Sequence, residues 1–138
     1  MEIYVFEQVA DILEMPKQDA EKNIKGEIPG TGKKFTHFDS PVSGEIVLDY
    51  PLTNPYKFSV NNIQTVGELS WLIAQAYMCV YECEEETSPQ LVEELDGNCL
   101  NRGKTEGDYG IWGHGITDLF LEVITIQPGN KIKVFIGS

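Results

Sequence analysis

The chain has 138 residues, of which 41% are hydrophobic and 23% are charged, as in an ordinary globular protein. This length predicts a single domain, residues 1–138, with one hydrophobic core. Asp and Glu outnumber Lys and Arg by 22 to 10, and the formal net charge of −12 repels nucleic acids and anionic membranes. We therefore expect no nucleic acid and no membrane as partner, whereas a basic protein would be attracted. Acidity that only maintains solubility explains the same composition equally well.

The chain carries no recognisable targeting segment. Its longest apolar stretch is far shorter than the ~18 residues of a transmembrane helix. The N-terminal residues lack the basic region and the small-residue cleavage site of a secretory signal. Three cysteines, an odd number, argue against a disulfide framework. Together these features predict a cytoplasmic protein with reduced thiols.

The first third of the chain gives a weak structural pattern. Apolar residues recur at helical spacing at Val5, Val9, Ile12 and Leu13. We expect a helix from about Glu7 to Glu14, ended by Pro16, and Ile3 with its neighbours is compatible with a strand before it. The segment from Lys17 to Lys34 is rich in lysine, glycine and proline, and is expected to be a surface loop with little regular structure.

Two β-hairpins are predicted from alternating apolar and polar residues. Gly44–Tyr50 and Tyr56–Val60 alternate in this way and form the first hairpin. Leu119–Ile126 is rich in β-branched and large apolar residues, as a central strand is. It forms the second hairpin with Ile132–Ile136 through a turn at Pro128 and Gly129.

A long helix is predicted between the two hairpins, from Thr65 to Glu86. Thr65 followed by Glu68 matches a capping box at its start. Its polar stripe is narrow, so the helix is expected to be largely buried across a sheet. The fold class that follows is α+β: an antiparallel sheet of at least four strands with one long, largely buried helix packed on one face. These patterns do not determine the strand order.

The glycine-rich segment from Asn101 to Asp118 is the expected location of a functional site. It has five glycines, which allow unusual backbone angles, among side chains that bind and catalyse. The candidate residues are Arg102, Asp108, Tyr109, Trp112, His114 and Asp118.

In an enzyme or a small-ligand-binding protein, each of these side chains would have a distinct role. Arg102 would hold an anion, and His114 would act as a base or ligand oriented by Asp118. Asp108 would supply a second acid or base, and Trp112 would form a wall. The structural alternative is that His114 locks the loop, Asp118 caps the following element and Trp112 packs against the sheet.

An acidic cluster lies at the C-terminal end of the predicted helix, at Glu82, Glu84, Glu85 and Glu86, with Glu93, Glu94 and Asp96 beyond it. Negative charges there oppose the helix dipole, and no Lys or Arg occurs between Lys57 and Arg102. Local stability does not explain the cluster. It is either a solvated helix end or a recognition surface for a basic partner or a hard cation. Trp71, at the edge of the polar stripe, is a further candidate anchor for a partner.

Two motifs point to cofactor chemistry only weakly. Cys79 and Cys83, one helical turn apart, would form a structural zinc site with Cys99 or His114. Cysteine in an apolar helix more commonly acts as a small hydrophobic residue. The segment Gly30–Lys34 departs from the phosphate-binding loop motif at both its first glycine and its final Ser/Thr. We therefore predict no cofactor and no metal.

The leading hypothesis is a small, acidic, non-enzymatic protein-interaction module. An immunity protein or antitoxin-like inhibitor of a basic nuclease is one concrete instance, because charge pairing and electrostatic steering suit such a role. The alternative is an enzyme or small-ligand-binding protein with its site in residues 101–118. A structural zinc-binding domain is a weaker alternative.

Overall fold

The computed structural model describes residues 1–87 and 105–138, and in these residues seven strands form one curled sheet against which a long helix packs. The strands are β1 Glu2–Gln8, β2 Gly26–Glu27, β3 Lys34–Phe35, β4 His37–Leu48, β5 Tyr56–Thr65, β6 Phe120–Gln127 and β7 Lys131–Gly137. The helices described are α1 Val9–Leu13, α2 Lys17–Asn23 and α3 Val66–Thr87, and a 3-10 turn lies at Ile116–Asp118. The strands lie in the order β3-β2-β1-β6-β7-β4-β5.

Both predicted hairpins are confirmed, as β4 with β5 and β6 with β7. The two hairpins join side by side through β4 and β7, which run parallel over Glu45–Val47 and Lys131–Lys133. The expectation of a wholly antiparallel sheet is wrong at this one pair of neighbours. Alternation of apolar residues reports which face of a strand is buried, but it carries no information on the direction of a neighbour from another hairpin.

The N-terminal segment forms a strand followed by a short helix. β1 continues through Gln8, so α1 begins two residues after the expected start at Glu7. Phe6 has a φ of 53° and lies where the register of β1 against β6 shifts between Tyr4 and Glu7. Beyond this irregularity the pairing with β6 resumes at Glu7 and Gln8, the residues at which the helical pattern was expected to begin.

The prediction of an irregular loop over Lys17–Lys34 is wrong, because this segment contains α2, β2 and the start of β3. α2 follows Pro16, which occupies its N-cap position. Ala20 is its one buried residue, and a single small side chain gives no hydrophobic period. In the same way, Gly26 of β2 is buried because its backbone approaches Ile3: a Cβ on Gly26 would lie 2.5 Å from Ile3 Cγ2.

The long helix α3 is confirmed, together with its buried character. The Glu68 N–H donates to Thr65 Oγ1 at 3.0 Å, as the capping box requires. In return, Glu68 Oε1 accepts from the N–H of Gln64 at 3.4 Å, one residue earlier than expected. The helix and the sheet share one hydrophobic core, whose fully buried members include Leu69, Ile73, Tyr77, Ile3, Ile46, Leu121 and Ile124. Each such side chain contributes roughly 1.5–3 kcal/mol by leaving water.

The helix α2 packs across the N-terminal end of α3. A Cβ on Gly67 would lie 1.9 Å from the Ala20 carbonyl oxygen, so glycine permits this contact. Lys17 Nζ forms a salt bridge with Glu68 at 3.0 Å. The described helices include none that is long and apolar enough to cross a membrane.

Candidate functional site

A buried carboxylate at the C-terminal end of α3 organises the described part of the glycine-rich segment. Glu84 is 0% exposed, and its Oε1 accepts from the Tyr109 N–H at 2.8 Å. Its Oε2 accepts from the N–H groups of Gly107 and Gly110, at 3.0 and 3.1 Å, and from the Thr105 hydroxyl. These donors offset the cost of removing a carboxylate from water, because a buried charge needs several strong hydrogen bonds. We call residues 105–111, held in this way, the clamped loop.

The burial of Glu84 corrects its place in the predicted acidic recognition surface. Its carboxylate faces the clamped loop, so no partner in solution contacts it. Glu84 lies four residues after Val80 and seven after Tyr77, both buried, and therefore on the inner face of α3. This spacing alone indicates a buried position for Glu84. The acidic residues on either side of it in the sequence favour an exposed position instead, and that interpretation is wrong.

Further hydrogen bonds hold the clamped loop between α3 and the β4–β5 turn. The Asp108 N–H donates to Thr87 Oγ1 at 3.0 Å, and Asn54 Nδ2 donates to the Asp108 carbonyl at 2.9 Å. The Thr53 N–H donates to the carbonyls of Tyr109 and Gly110, both at 2.9 Å. The positions of Asp108 and Tyr109 are thus fixed by backbone contacts, which leave the Asp108 side chain exposed.

Exposed carboxylates surround the junction of α3 with the clamped loop. Five of them, which we call the acidic surface, are Glu82, Glu85, Glu86, Glu106 and Asp108. Within residues 1–87 and 105–138, none of the five forms a salt bridge. The acidic surface affects the neighbouring thiol of Cys83. The pKa of this thiol is raised first by partial burial, then by its hydrogen bond to Asp108 Oδ2 at 3.6 Å and by the negative charges of Asp108 and Glu86.

Tyr109 is half-buried at the edge of the acidic surface. Its ring makes an edge contact with that of Tyr56, with centroids 6.0 Å apart. Burial first, and then the neighbouring Cys83 and other acidic groups, raise the pKa of its hydroxyl. The side chain therefore stays a neutral hydrogen-bond donor at physiological pH.

The predicted pair of His114 and Asp118 comes together in the structure. His114 Nδ1 lies 3.8 Å from Asp118 Oδ2, which accepts from the Gly115 N–H at 3.2 Å. Nδ1 is buried and has no hydrogen-bond partner among the described residues. On the other side of the ring, Nε2 lies 3.4 Å from Ser138 Oγ, which lies 2.6 Å from the Tyr50 hydroxyl. The arrangement is a polar chain that runs from a carboxylate through an imidazole to two hydroxyls.

The loop around His114 is also fixed through its backbone. The Tyr81 hydroxyl, on α3, donates to the His114 carbonyl at 2.9 Å. Gly113, before His114, has a φ of 47°, a conformation that favours glycine. Asp118 caps the 3-10 turn that leads into β6. These contacts match the structural role considered for His114 and Asp118, and they hold the imidazole in place for any chemistry it performs.

The remaining candidate residues do not converge on one point. The side chain of Trp112 is 51% exposed, and its backbone N–H donates to the Pro51 carbonyl at 2.9 Å. Trp71 is half-buried under Lys17, whose Nζ lies 5.9 Å from the ring centroid. Trp71 precedes Glu85 by roughly 20 Å along the axis of α3, at ~1.5 Å per residue, so it is not part of the acidic surface. Arg102 lies outside the described residues.

The zinc hypothesis gains no support from the described residues. Cys79 is exposed and Cys83 half-buried, and the described part of the chain holds no group of three or more His, Cys, Asp or Glu that could bind a metal ion. Cys99, the third cysteine, lies outside it.

Sequence reasoning missed several residues that the fold exposes or brings to the site. Tyr50 and Ser138 reach His114 from the end of the first hairpin and from the C-terminus of β7, and no local pattern indicates that contact. Three phenylalanines on the sheet are also exposed: Phe6 by 58%, Phe120 by 41% and Phe135 by 55%. The exposure of Phe135 could have been predicted from the sequence, since Phe135 follows Lys131 and Lys133 on the outward-facing side of β7.

Comparisons of the chain with protein-family models, with curated proteins and with solved structures found no match. The site is therefore characterised by its geometry alone. Its three features are the clamped loop around Glu84, the acidic surface beside that loop, and the polar chain from Asp118 to Tyr50.

Proposed function

We propose that the protein is a non-enzymatic protein-interaction module that binds a basic protein through the acidic surface. The observation that carries this proposal is the grouping of five exposed carboxylates, none in a salt bridge within the described residues, at one end of the fold. Inhibition of a basic nuclease, as by an immunity protein or antitoxin, is the concrete instance that fits. The proposal includes a cytoplasmic location, and neither a nucleic acid nor a membrane as partner.

The acidic surface is unfavourable for the isolated chain. Glu85 and Glu86 lie in the last turn of α3, where negative charge opposes the helix dipole and costs roughly 0.3–1 kcal/mol for each residue. Asp108 adds another negative charge beside the same turn. Lysine or arginine side chains from a partner would remove this repulsion and would accelerate encounter by electrostatic steering.

The clamped loop favours binding because it is already ordered. Four hydrogen bonds to Glu84 and those to Asn54 and Thr53 fix the backbone that carries Asp108 and Tyr109. A partner that docks there does not have to order the loop, which removes part of the entropic cost of association.

Charge reversal on the acidic surface tests the proposal. The variant Glu85→Lys/Glu86→Lys changes two exposed side chains and leaves Glu84 intact. The matched control, Glu14→Lys/Asp19→Lys, gives the same change in net charge near α2, which packs at the opposite end of α3. Each protein is immobilised, exposed to a lysate of the cells that make it, and washed, and the retained proteins are identified by mass spectrometry.

We expect the wild type and the control to retain the same basic polypeptide, and Glu85→Lys/Glu86→Lys to lose it. Retention should weaken as salt is raised toward 1 M, where charges are screened beyond about 3 Å. If the control loses the partner as completely as the test variant, net charge alone governs retention and the surface assignment is wrong. If the retained protein is acidic, or if both variants keep it, the proposal fails.

A second candidate function is small-ligand binding or catalysis at His114. The buried and unpaired Nδ1 favours it, because such a nitrogen is held ready to exchange a proton or to accept a ligand. Asp118, 3.8 Å away, would orient the imidazole. A His114→Ala variant with an unchanged melting temperature but lost ligand binding supports this function, whereas a large loss of stability identifies His114 as a structural lock.

A further inference from the structure

An open cleft lies where β4 extends beyond its pairing with β7. β7 pairs with β4 over Glu45–Val47, and the preceding part of β4 borders a cavity of about 490 Å³. The other walls come from the β2–β3 turn, from Met1 and from Ile126 near the end of β6. This volume is within the roughly 300–1,000 Å³ range of small-molecule sites in proteins.

The interior of the cleft is apolar. Phe35 and Phe38 line it and contact each other edge to face, with ring centroids 6.0 Å apart. Ile28, Val42 and Ile126 complete the apolar walls. Such a surface binds the hydrocarbon part of a ligand through exclusion of water.

The rim of the cleft is positively charged, although the net charge of the whole chain is −12. Lys33 and Lys34 lie side by side on it, and neither forms a salt bridge within residues 1–87 and 105–138. The turn that carries them is rigid: Thr31 Oγ1 donates to the Ile28 carbonyl at 2.8 Å and accepts from the Lys33 N–H at 3.1 Å. The Ser40 hydroxyl, across the cleft, is a further donor.

The charge on the cleft is positive in sum. Lys33, Lys34 and the N-terminal ammonium of Met1 are opposed by Asp39, so the lining carries an excess of about two positive charges. An anionic head group is therefore attracted there, whether it carries one negative charge or nearly two.

From these features we infer that the cleft between the β2–β3 turn and β4 binds a small amphiphilic anion. Its hydrocarbon body lies between Phe35 and Phe38, and its anionic head group contacts Lys33, Lys34 and Ser40. This site is independent of the acidic surface. The segment Gly30–Lys34, which does not match a phosphate-binding loop, thereby gains a role as the cationic wall of a site for an amphiphilic anion.

Binding of decanoate tests the inference, with 1-decanol and decyl phosphate as probes that differ in head group alone. Affinities are measured by titration calorimetry below the micellar range, and the site is located by amide shifts in nitrogen-15 NMR spectra. The test variant is Lys33→Gln/Lys34→Gln. The control variant, Lys22→Gln/Lys25→Gln, removes the same charge from exposed positions that do not line the cleft.

We expect decanoate and decyl phosphate to shift the amides of Phe38 and Ser40 and to bind more tightly than 1-decanol. Lys33→Gln/Lys34→Gln should weaken decanoate binding about tenfold or more, the effect of losing one charge-assisted hydrogen bond. The control should bind as the wild type does. Asp39→Asn should raise the affinity for decanoate, because it removes the repelling carboxylate.

Three results would overturn the inference. The first is no binding of decanoate by the folded wild-type protein. The second is equal affinity for 1-decanol and decanoate, which would show that the cleft binds the hydrocarbon chain without recognising the charged head group. The third is amide shifts confined to the strand β7, which carries Lys131 and Lys133 and borders a second basic and apolar face. None of these results would affect the proposal for the acidic surface.

Discussion

Glu84→Gln replaces one oxygen of the buried carboxylate by an amino group and keeps the shape of the side chain. In the wild type, Oε1 accepts one backbone N–H and Oε2 accepts two, together with the Thr105 hydroxyl. Whichever oxygen is replaced, an amino group then faces at least one N–H group. The variant therefore loses an acceptor and leaves two donors unpaired in a buried place.

The expected loss is about 3 kcal/mol in the free energy of unfolding. Hydrogen bonds to charged groups contribute roughly 1.5–3 kcal/mol each, and those to neutral groups about 0.5–1.5 kcal/mol. One bond is lost and the others weaken, while the smaller desolvation cost of a neutral amide offsets part of the loss. Since domains of this size are stable by about 5–15 kcal/mol, the effect is large but leaves the protein folded.

Urea denaturation measures this loss, followed by far-ultraviolet circular dichroism and by tryptophan fluorescence. Glu85→Gln is the control, because it makes the same chemical change at the next residue, which is exposed, and should stay within about 0.5 kcal/mol of the wild type. Amide hydrogen exchange gives a local reading, since the N–H groups of Gly107, Tyr109 and Gly110 should lose protection in Glu84→Gln.

Gly107→Ala tests the same clamp from the opposite side. Its added Cβ would lie 2.5 Å from Glu84 Oε1 and 2.6 Å from Thr87 Oγ1, so the carboxylate or the loop has to move. We expect a loss of about 1–3 kcal/mol, typical of overpacking. If Glu84→Gln unfolds at the same urea concentration as Glu85→Gln with unchanged exchange at the three amides, Glu84 does not hold the loop and this reasoning is refuted.

Two further predictions concern other contacts. Gly67→Ala should destabilise the protein by about 1–3 kcal/mol in urea denaturation, because its Cβ would overlap the Ala20 carbonyl and separate α2 from α3; an unchanged midpoint would contradict this contact. Because the pKa of Cys83 is raised in part by Asp108, Asp108→Asn should accelerate alkylation of Cys83 by iodoacetamide at pH 8, measured by peptide mass spectrometry relative to Cys79. An unchanged ratio of the two rates would show that Asp108 does not influence the thiol.

The parts of the fold that follow from the sequence are those with a repeating pattern. Alternation located the hairpins of β4–β5 and β6–β7, and a capping box with an apolar surface located α3. α2 and β2 were missed because Ala20 and Gly26 make their contacts with almost no side chain. The parallel joint between β4 and β7 depends on how whole hairpins are placed, which no local pattern encodes.

In the candidate site, too, contacts between residues near in sequence were predicted and contacts between distant segments were missed. His114 and Asp118 lie close together as expected, but through a loop and a 3-10 turn and not through the α-helix or strand that their spacing suggested. Glu84 was assigned to a surface although its donors come from a loop more than twenty residues later in the chain. The contact of His114 with Ser138 likewise joins distant segments. Long-range hydrogen bonding of this kind becomes visible only in three dimensions.

The measurement that most directly tests the central claim is a native mass spectrum of the protein purified at low ionic strength from the cells that make it. We expect a mass in excess of the 15.5 kDa chain by that of a basic polypeptide, and no polypeptide in excess for Glu85→Lys/Glu86→Lys. A wild-type mass without a bound polypeptide, or with an acidic one, would contradict the claim that the acidic surface binds a basic protein.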